Sequence, residues 1–135
     1  MDMMQTGVEL KLLGAAVIVG LVQLLWAAGA ARSQHDLKWA AGARDEPKPP
    51  LTGVPGRLDR AFRNFMETFP LFAAAVLAVV VLEKSGPASV WGAALYVIGR
   101  ALYVPLYVAG TYLIRSIVWG VALAGLVMVI VAIFK

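Results

Sequence analysis

The residues best equipped for chemistry stand at the mouth of one apolar segment. That stretch, residues 57–72, reads Arg-Leu-Asp-Arg-Ala-Phe-Arg-Asn-Phe-Met-Glu-Thr-Phe-Pro-Leu-Phe. Arg60, Arg63, Asn64 and Glu67 recur at intervals that stack them on one helical face over two turns. Phe62, Phe65, Met66 and Phe69 cover the other sides, and after Pro70 the chain is apolar through Leu82. Tyr96, Arg100, Tyr103 and Tyr107 share one face of a later segment, and Arg115-Ser116 opens the last one. An excess of arginine favours an anionic ligand, gripped by forked, charge-assisted hydrogen bonds. Glu67 suits an ammonium group or fixes an arginine. An arginine beside a hydroxyl favours a thiolate or an enolate over its protonated form.

Other chemistries lack their residues. One intramembrane carboxylate without histidine cannot supply three metal ligands, so no metal is expected. The single histidine, His35, falls in a loop, which removes any Ser-His-Asp arrangement and leaves it without an assigned role. Gly-rich phosphate loops are missing. Without cysteine there is no disulfide and no protein thiolate. A net charge of +4 is too small to argue for nucleic acid, and no nucleic-acid partner is expected.

The elements that must position these residues follow from composition. Of 135 residues, 61% are hydrophobic and 15% charged. That balance marks an all-α integral membrane protein, one membrane domain over residues 1–135. A span needs about 20 residues. Four are expected, at about residues 8–31, 58–82, 88–110 and 115–134, with a proline-rich loop over residues 32–56. The leading residues Asp2, Glu9 and Lys11 read as a retained helix rather than a signal peptide. Proline density argues against helix from Glu46 to Pro55. Leu37 to Ala40 either prolongs the first helix or lies at the interface, and the loop is read as an ordered cap. Kinks are expected at Pro70 and Pro105. Gly120 and Ala124 form a small-residue packing pair.

A central arginine costs roughly 2.5–3.5 kcal/mol on insertion scales, so these arginines must face protein or a wet cavity. Glu67 is the expected partner of mid-span Arg100. The plainer alternative is a set of anchors and ion pairs that only fixes the helices. An interfacial belt explains Tyr107 and Tyr112 better than the deeper Tyr96 and Tyr103. Arg32, Lys38, Arg44, Lys48, Arg57 and Arg115 fall on one side of the membrane, against Lys11, Lys84 and Lys135 on the other. The excess places the long loop in the cytoplasm and both termini outside. Arg60, Arg63, Asn64, Glu67, Tyr103, Tyr107, Arg115 and Ser116 then converge at one depth.

These residues resemble a known family. Arg60-Ala61-x-x-Asn64-x-x-Glu67-x-Phe69-Pro70-Leu71-Phe72 is similar to the signature of MAPEG proteins, the membrane-associated proteins of eicosanoid and glutathione metabolism. Arg63-Asn64-x-Met66-Glu67-Thr68 resembles the prostaglandin E synthase branch. Arg100-x-x-Tyr103-x-x-x-Tyr107 resembles the third-helix pattern of leukotriene C4 synthase, and Arg115-Ser116 its fourth-helix pair. The likeness, which extends to microsomal glutathione transferases, implies a four-transmembrane-helix bundle protomer assembled as a homotrimer. It implies glutathione as co-substrate, bound between neighbouring protomers, with a lipophilic small molecule as second substrate and membrane lipids around. Carried over by position, Arg60, Arg63, Asn64, Glu67, Arg100, Tyr103 and Tyr107 would bind glutathione. Arg115 would stabilise the thiolate with Ser116 assisting, and Arg32 would match a first-helix arginine. Phe62 departs from the family pattern, standing where relatives often have His or Gln. The interval from Tyr107 to Arg115 is one residue longer than in leukotriene C4 synthase, and Pro105 between the tyrosines is unusual. The implied activity is a glutathione-dependent transferase or peroxidase acting on a lipophilic electrophile. The family also has a non-catalytic arachidonate-binding member, so the alternative is a lipid-binding or scaffold protein of the same fold. A small transporter subunit is the weakest reading, because paired broken helices are missing.

Overall fold

Helix ends set the arrangement. The computed structural model describes the backbone of residues 3–135 and the side chains of residues 7–135, so Asp2 lies outside the described residues. The elements are α1 (Met3–Ala31), α2 (Leu37–Ala41), α3 (Gly53–Val81), α4 (Pro87–Val108) and α5 (Tyr112–Ile133). Gly7–Ala31, Gly53–Val81, Pro87–Val108 and Tyr112–Ile133 are long and apolar enough to cross a membrane. The protein is an all-α, multi-pass integral membrane protein.

Two expected boundaries move, each for a local reason. α3 begins at Gly53 rather than near residue 58, and so takes in Pro55. Proline is harmless there, because the amide hydrogens of a first helical turn have no intrahelical acceptor. α5 begins at Tyr112, three residues ahead of Arg115, which leaves only Ala109–Thr111 to join it to α4. Gly110 makes that turn possible at φ +79. Its amide donates to Tyr107 O and the next amide to Leu106 O, closing α4 in a Schellman motif. α3 ends the same way, except that Glu83 takes the left-handed position at φ 58. Pro70 and Pro105 sit inside continuous helices.

The loop after α1 is ordered. Asp36 caps α2 by accepting from the Trp39 amide at 2.8 Å, and α2 is a separate turn rather than an extension of α1. Trp39 Nε1 donates to Glu46 O at 2.6 Å, and His35 Nε2 bonds Pro49 O at 2.8 Å. Gln34 exchanges bonds with the Thr52 backbone at 2.8 and 2.9 Å. These contacts tie the proline-rich strap to the ends of α1 and α3.

The core joins α1, α3, α4 and α5 through Ala16, Phe72, Val76, Val79, Ala93, Tyr96, Leu126 and Val129. Phe72 stacks on Tyr96 at 4.0 Å between centroids, and the Tyr96 hydroxyl bonds Thr68 Oγ1 at 2.9 Å. α4 and α5 cross where Gly92 meets Gly125, since a Cβ on Gly92 would lie 2.6 Å from the Gly125 carbonyl. Gly99 packs likewise against Ala122. Gly120 and Ala124, the expected packing pair, instead point outward from the protomer. Ile18, Leu25, Trp91, Ile98 and Ile117 are exposed, as a lipid-facing surface requires.

Candidate functional site

Arg100 is the deepest ionisable residue of the group, with 1% of its surface exposed. α4 turns it inward because Tyr96, Arg100, Tyr103 and Tyr107 share its face toward α3 and α5. Its Nη1 donates to Asn64 Oδ1 at 2.7 Å. The Tyr103 ring lies 4.4 Å and the Phe65 ring 5.7 Å from the guanidinium carbon. The aromatic faces offer a negative potential to a cation removed from water. Arg100 Nε and Nη2 are buried without a partner among the described residues. Glu67, the expected carboxylate partner, is exposed, and the hydrogen bond goes to the amide of Asn64 instead. The two sit one turn apart, and Asn64 is the one rotated toward α4.

A second layer lies nearer the end of the bundle. Arg60 Nε donates to the Tyr107 hydroxyl at 3.1 Å. The Arg115 guanidinium carbon stands 4.4 Å from the Tyr107 ring centre. Tyr103 and Tyr107 meet edge to face at 5.6 Å. Three helices thus place three guanidinium groups around two phenols. A cavity of about 130 Å³ opens beside them, lined by Asn64, Tyr103, Arg115, Ser116 and Trp119.

Some expected residues stand apart. Arg63 pairs with Asp59 at 3.3 Å on the outer face of α3, its side chain 76% exposed. Ser116 lines the cavity but donates its hydroxyl hydrogen to Tyr112 O at 2.7 Å. Arg32 folds back on α1, donating to Ala28 O at 3.2 Å and to Asp36 O at 3.3 Å. Two contributors lie beyond the expected set. Trp119 follows Arg115 by one helical turn, a spacing that identifies it. Arg57, one turn before Arg60, donates to Val108 O at 3.0 Å and clamps the start of α3 to the end of α4.

The described residues contain no group of three His, Asp or Glu able to hold a metal. Fold and site together define a polytopic membrane protein in which one buried arginine, Arg100, and two more accessible ones, Arg60 and Arg115, surround Tyr103 and Tyr107 beside a small cavity at one end of an apolar bundle. The family model described as MAPEG family matches residues 12–135, and the chain belongs to that family. No curated protein matches it. Membership ties the chain to membrane-bound, glutathione-related transfer and eicosanoid metabolism, in which glutathione is the family's thiol.

Proposed function

We propose that the protein is a membrane-bound glutathione transferase or peroxidase that conjugates or reduces a lipophilic electrophile. The carrying observation is Arg115, held against the Tyr107 ring at the edge of a cavity it shares with Asn64 and Tyr103. A guanidinium at that place favours the thiolate of a bound thiol over its neutral form. In conjugation the thiolate sulfur attacks the electrophilic carbon, and the leaving group departs with the bonding pair. In reduction the thiolate attacks a peroxide oxygen, the O–O bond breaks to release an alcohol and leave a sulfenic acid, and a second thiol displaces water from that sulfur to give the disulfide. Ser116 donates to Tyr112 O as it stands, and it assists the thiolate by turning that hydrogen to the sulfur.

The donor set suits glutathione, which carries two carboxylates, one ammonium and one thiol. Arg60 and Arg63 match the carboxylates and Glu67 matches the ammonium, whereas Arg100, buried as it stands, would join them only by turning its unpaired nitrogens out of the bundle. Arg32 would join them only after leaving the carbonyls of Ala28 and Asp36. A cavity of about 130 Å³ is smaller than the roughly 300–1,000 Å³ of ordinary ligand pockets. A second copy of the chain supplies the missing wall in this reading. The exposed residues Arg60, Arg63, Glu67, Pro70, Ala74 and Leu77 alternate by three and four along α3, the spacing of a helix-packing seam. That exposed seam supports a homotrimer in which the polar stripe faces a neighbour rather than lipid. The basic loop over residues 32–56 would lie in the cytoplasm, with both termini outside.

The test is turnover of glutathione with a chlorinated aromatic electrophile by detergent-solubilised protein. Conjugate formation that Arg115→Ala abolishes, with glutathione binding retained, supports the proposal. Calorimetry showing no glutathione binding at millimolar concentration defeats it, and leaves the scaffold reading.

A further inference from the structure

Gln23 is the most polar side chain in the middle of α1, and it is 3% exposed. Neither its Oε1 nor its Nε2 finds a hydrogen-bond partner among the described residues. It lies about 12 Å along the helix from Ala31, beyond the reach of an amide to the interface. An unpaired amide at that depth is costly, since lipid offers it nothing. Gln23 lines a cavity of about 200 Å³ between α1 and α4, with Val22, Trp26, Ala101, Val104 and Pro105 around it. Pro105 has no amide hydrogen to give the Ala101 carbonyl, so that carbonyl loses its usual helical donor. An amide NH2 and two acceptors therefore stand in the wall of an otherwise apolar cleft, and the Gln23 amide, covered as it rests, reaches a ligand by turning its end toward the opening. This cleft lies on the side of α4 away from Arg100 and Tyr103, and its lining has no ionisable group.

We propose that this cleft binds a neutral, hydroxyl-bearing lipophile from the membrane. A hydroxyl accepts from Gln23 Nε2 and donates to Gln23 Oε1 or to the Ala101 carbonyl. A carboxylate or phosphate would find no cation there. The cavity holds the head and the first part of a chain, and the rest lies in lipid against Ile18 and Val22, both more than half exposed. The site is independent of the thiol site and of any activity there.

The experiment uses the full chain in phosphatidylcholine nanodiscs and a long-chain fatty alcohol carrying a diazirine near its hydroxyl. Photolabelling should saturate, map to residues 18–26 and 101–105, and be competed by unlabelled alcohol. The corresponding alkane should compete about tenfold less well, because it leaves the polar groups unpaired. Gln23→Leu keeps the side-chain size and should cut labelling by about tenfold. Val22→Trp, at an exposed position on the mouth, should block labelling while keeping Gln23, and decides the matter if Gln23→Leu does not fold. Equal competition by alkane and alcohol overturns the proposal. So does labelling unchanged in Gln23→Leu or in Val22→Trp, or no saturable labelling at all, as when water alone serves the amide.

Discussion

Arg100 on α4 donates to the amide oxygen of Asn64 on α3 across 2.7 Å, with 1% of the arginine's own surface exposed. A neutral amide therefore holds a buried cation where a carboxylate was expected. The bond leaves the charge uncancelled and two guanidinium nitrogens unpaired. Asn64→Ala removes the one hydrogen bond and strands the cation. It should destabilise the folded protein by about 2–3 kcal/mol, read as a lowered thermal midpoint in detergent. Combining Asn64→Leu with Arg100→Met should recover much of that loss. A double variant no more stable than Asn64→Ala would show that the bond does not hold α3 to α4.

The close crossing of α4 and α5 rests on Gly92 and Gly125. Gly92→Ala should overpack the crossing and cost about 1–3 kcal/mol. Gly120→Ala, where a Cβ meets nothing within 4 Å, should be neutral within the protomer. Thermal melts of the two variants give the comparison. Equal midpoints would contradict the assignment of Gly92–Gly125 as the packing pair.

Much of this was legible in the sequence, and the misses have physical causes. Length and apolarity show four spans, because a bilayer demands them independently of tertiary detail. Helical periodicity puts Arg100, Tyr103 and Tyr107 on one inward face. Periodicity does not say which of two polar residues a turn apart rotates inward, so Asn64 takes the place beside Arg100 expected of Glu67. It cannot register contacts between helices either. Gly120-Ala124 and Gly92…Gly125 look alike as sequence, and only the crossing decides between them. Pro55 misleads because proline stops a helix from within and suits its first turn.

Glu83 closes α3 in a left-handed conformation that glycine takes without strain. Glu83→Gly should stabilise by about 1 kcal/mol and leave turnover unchanged, since it lies at the opposite end of α3 from Arg60. Matched melts and activity assays check both halves. A lowered midpoint would mean the carboxylate makes a contact worth more than the strain.

Tyr107 touches two arginines differently, Arg60 through its hydroxyl and Arg115 through its ring. Tyr107→Phe keeps the ring and should leave most of the turnover. Tyr107→Leu removes both contacts and releases Arg115. A cation over an aromatic face is worth about 0.5–2 kcal/mol, so turnover by the leucine variant should fall by roughly twofold to thirtyfold. If the phenylalanine variant were the more impaired, the hydroxyl bond to Arg60 would matter more than the stack.

The central claim is that Arg115 makes the thiolate. Its most direct measurement is the ultraviolet difference spectrum of solubilised protein with glutathione at neutral pH, before any electrophile is added. A thiolate band should appear with the unaltered chain, vanish in Arg115→Ala while calorimetry still records glutathione binding, and return in part with Arg115→Lys. A full band in Arg115→Ala would contradict the account.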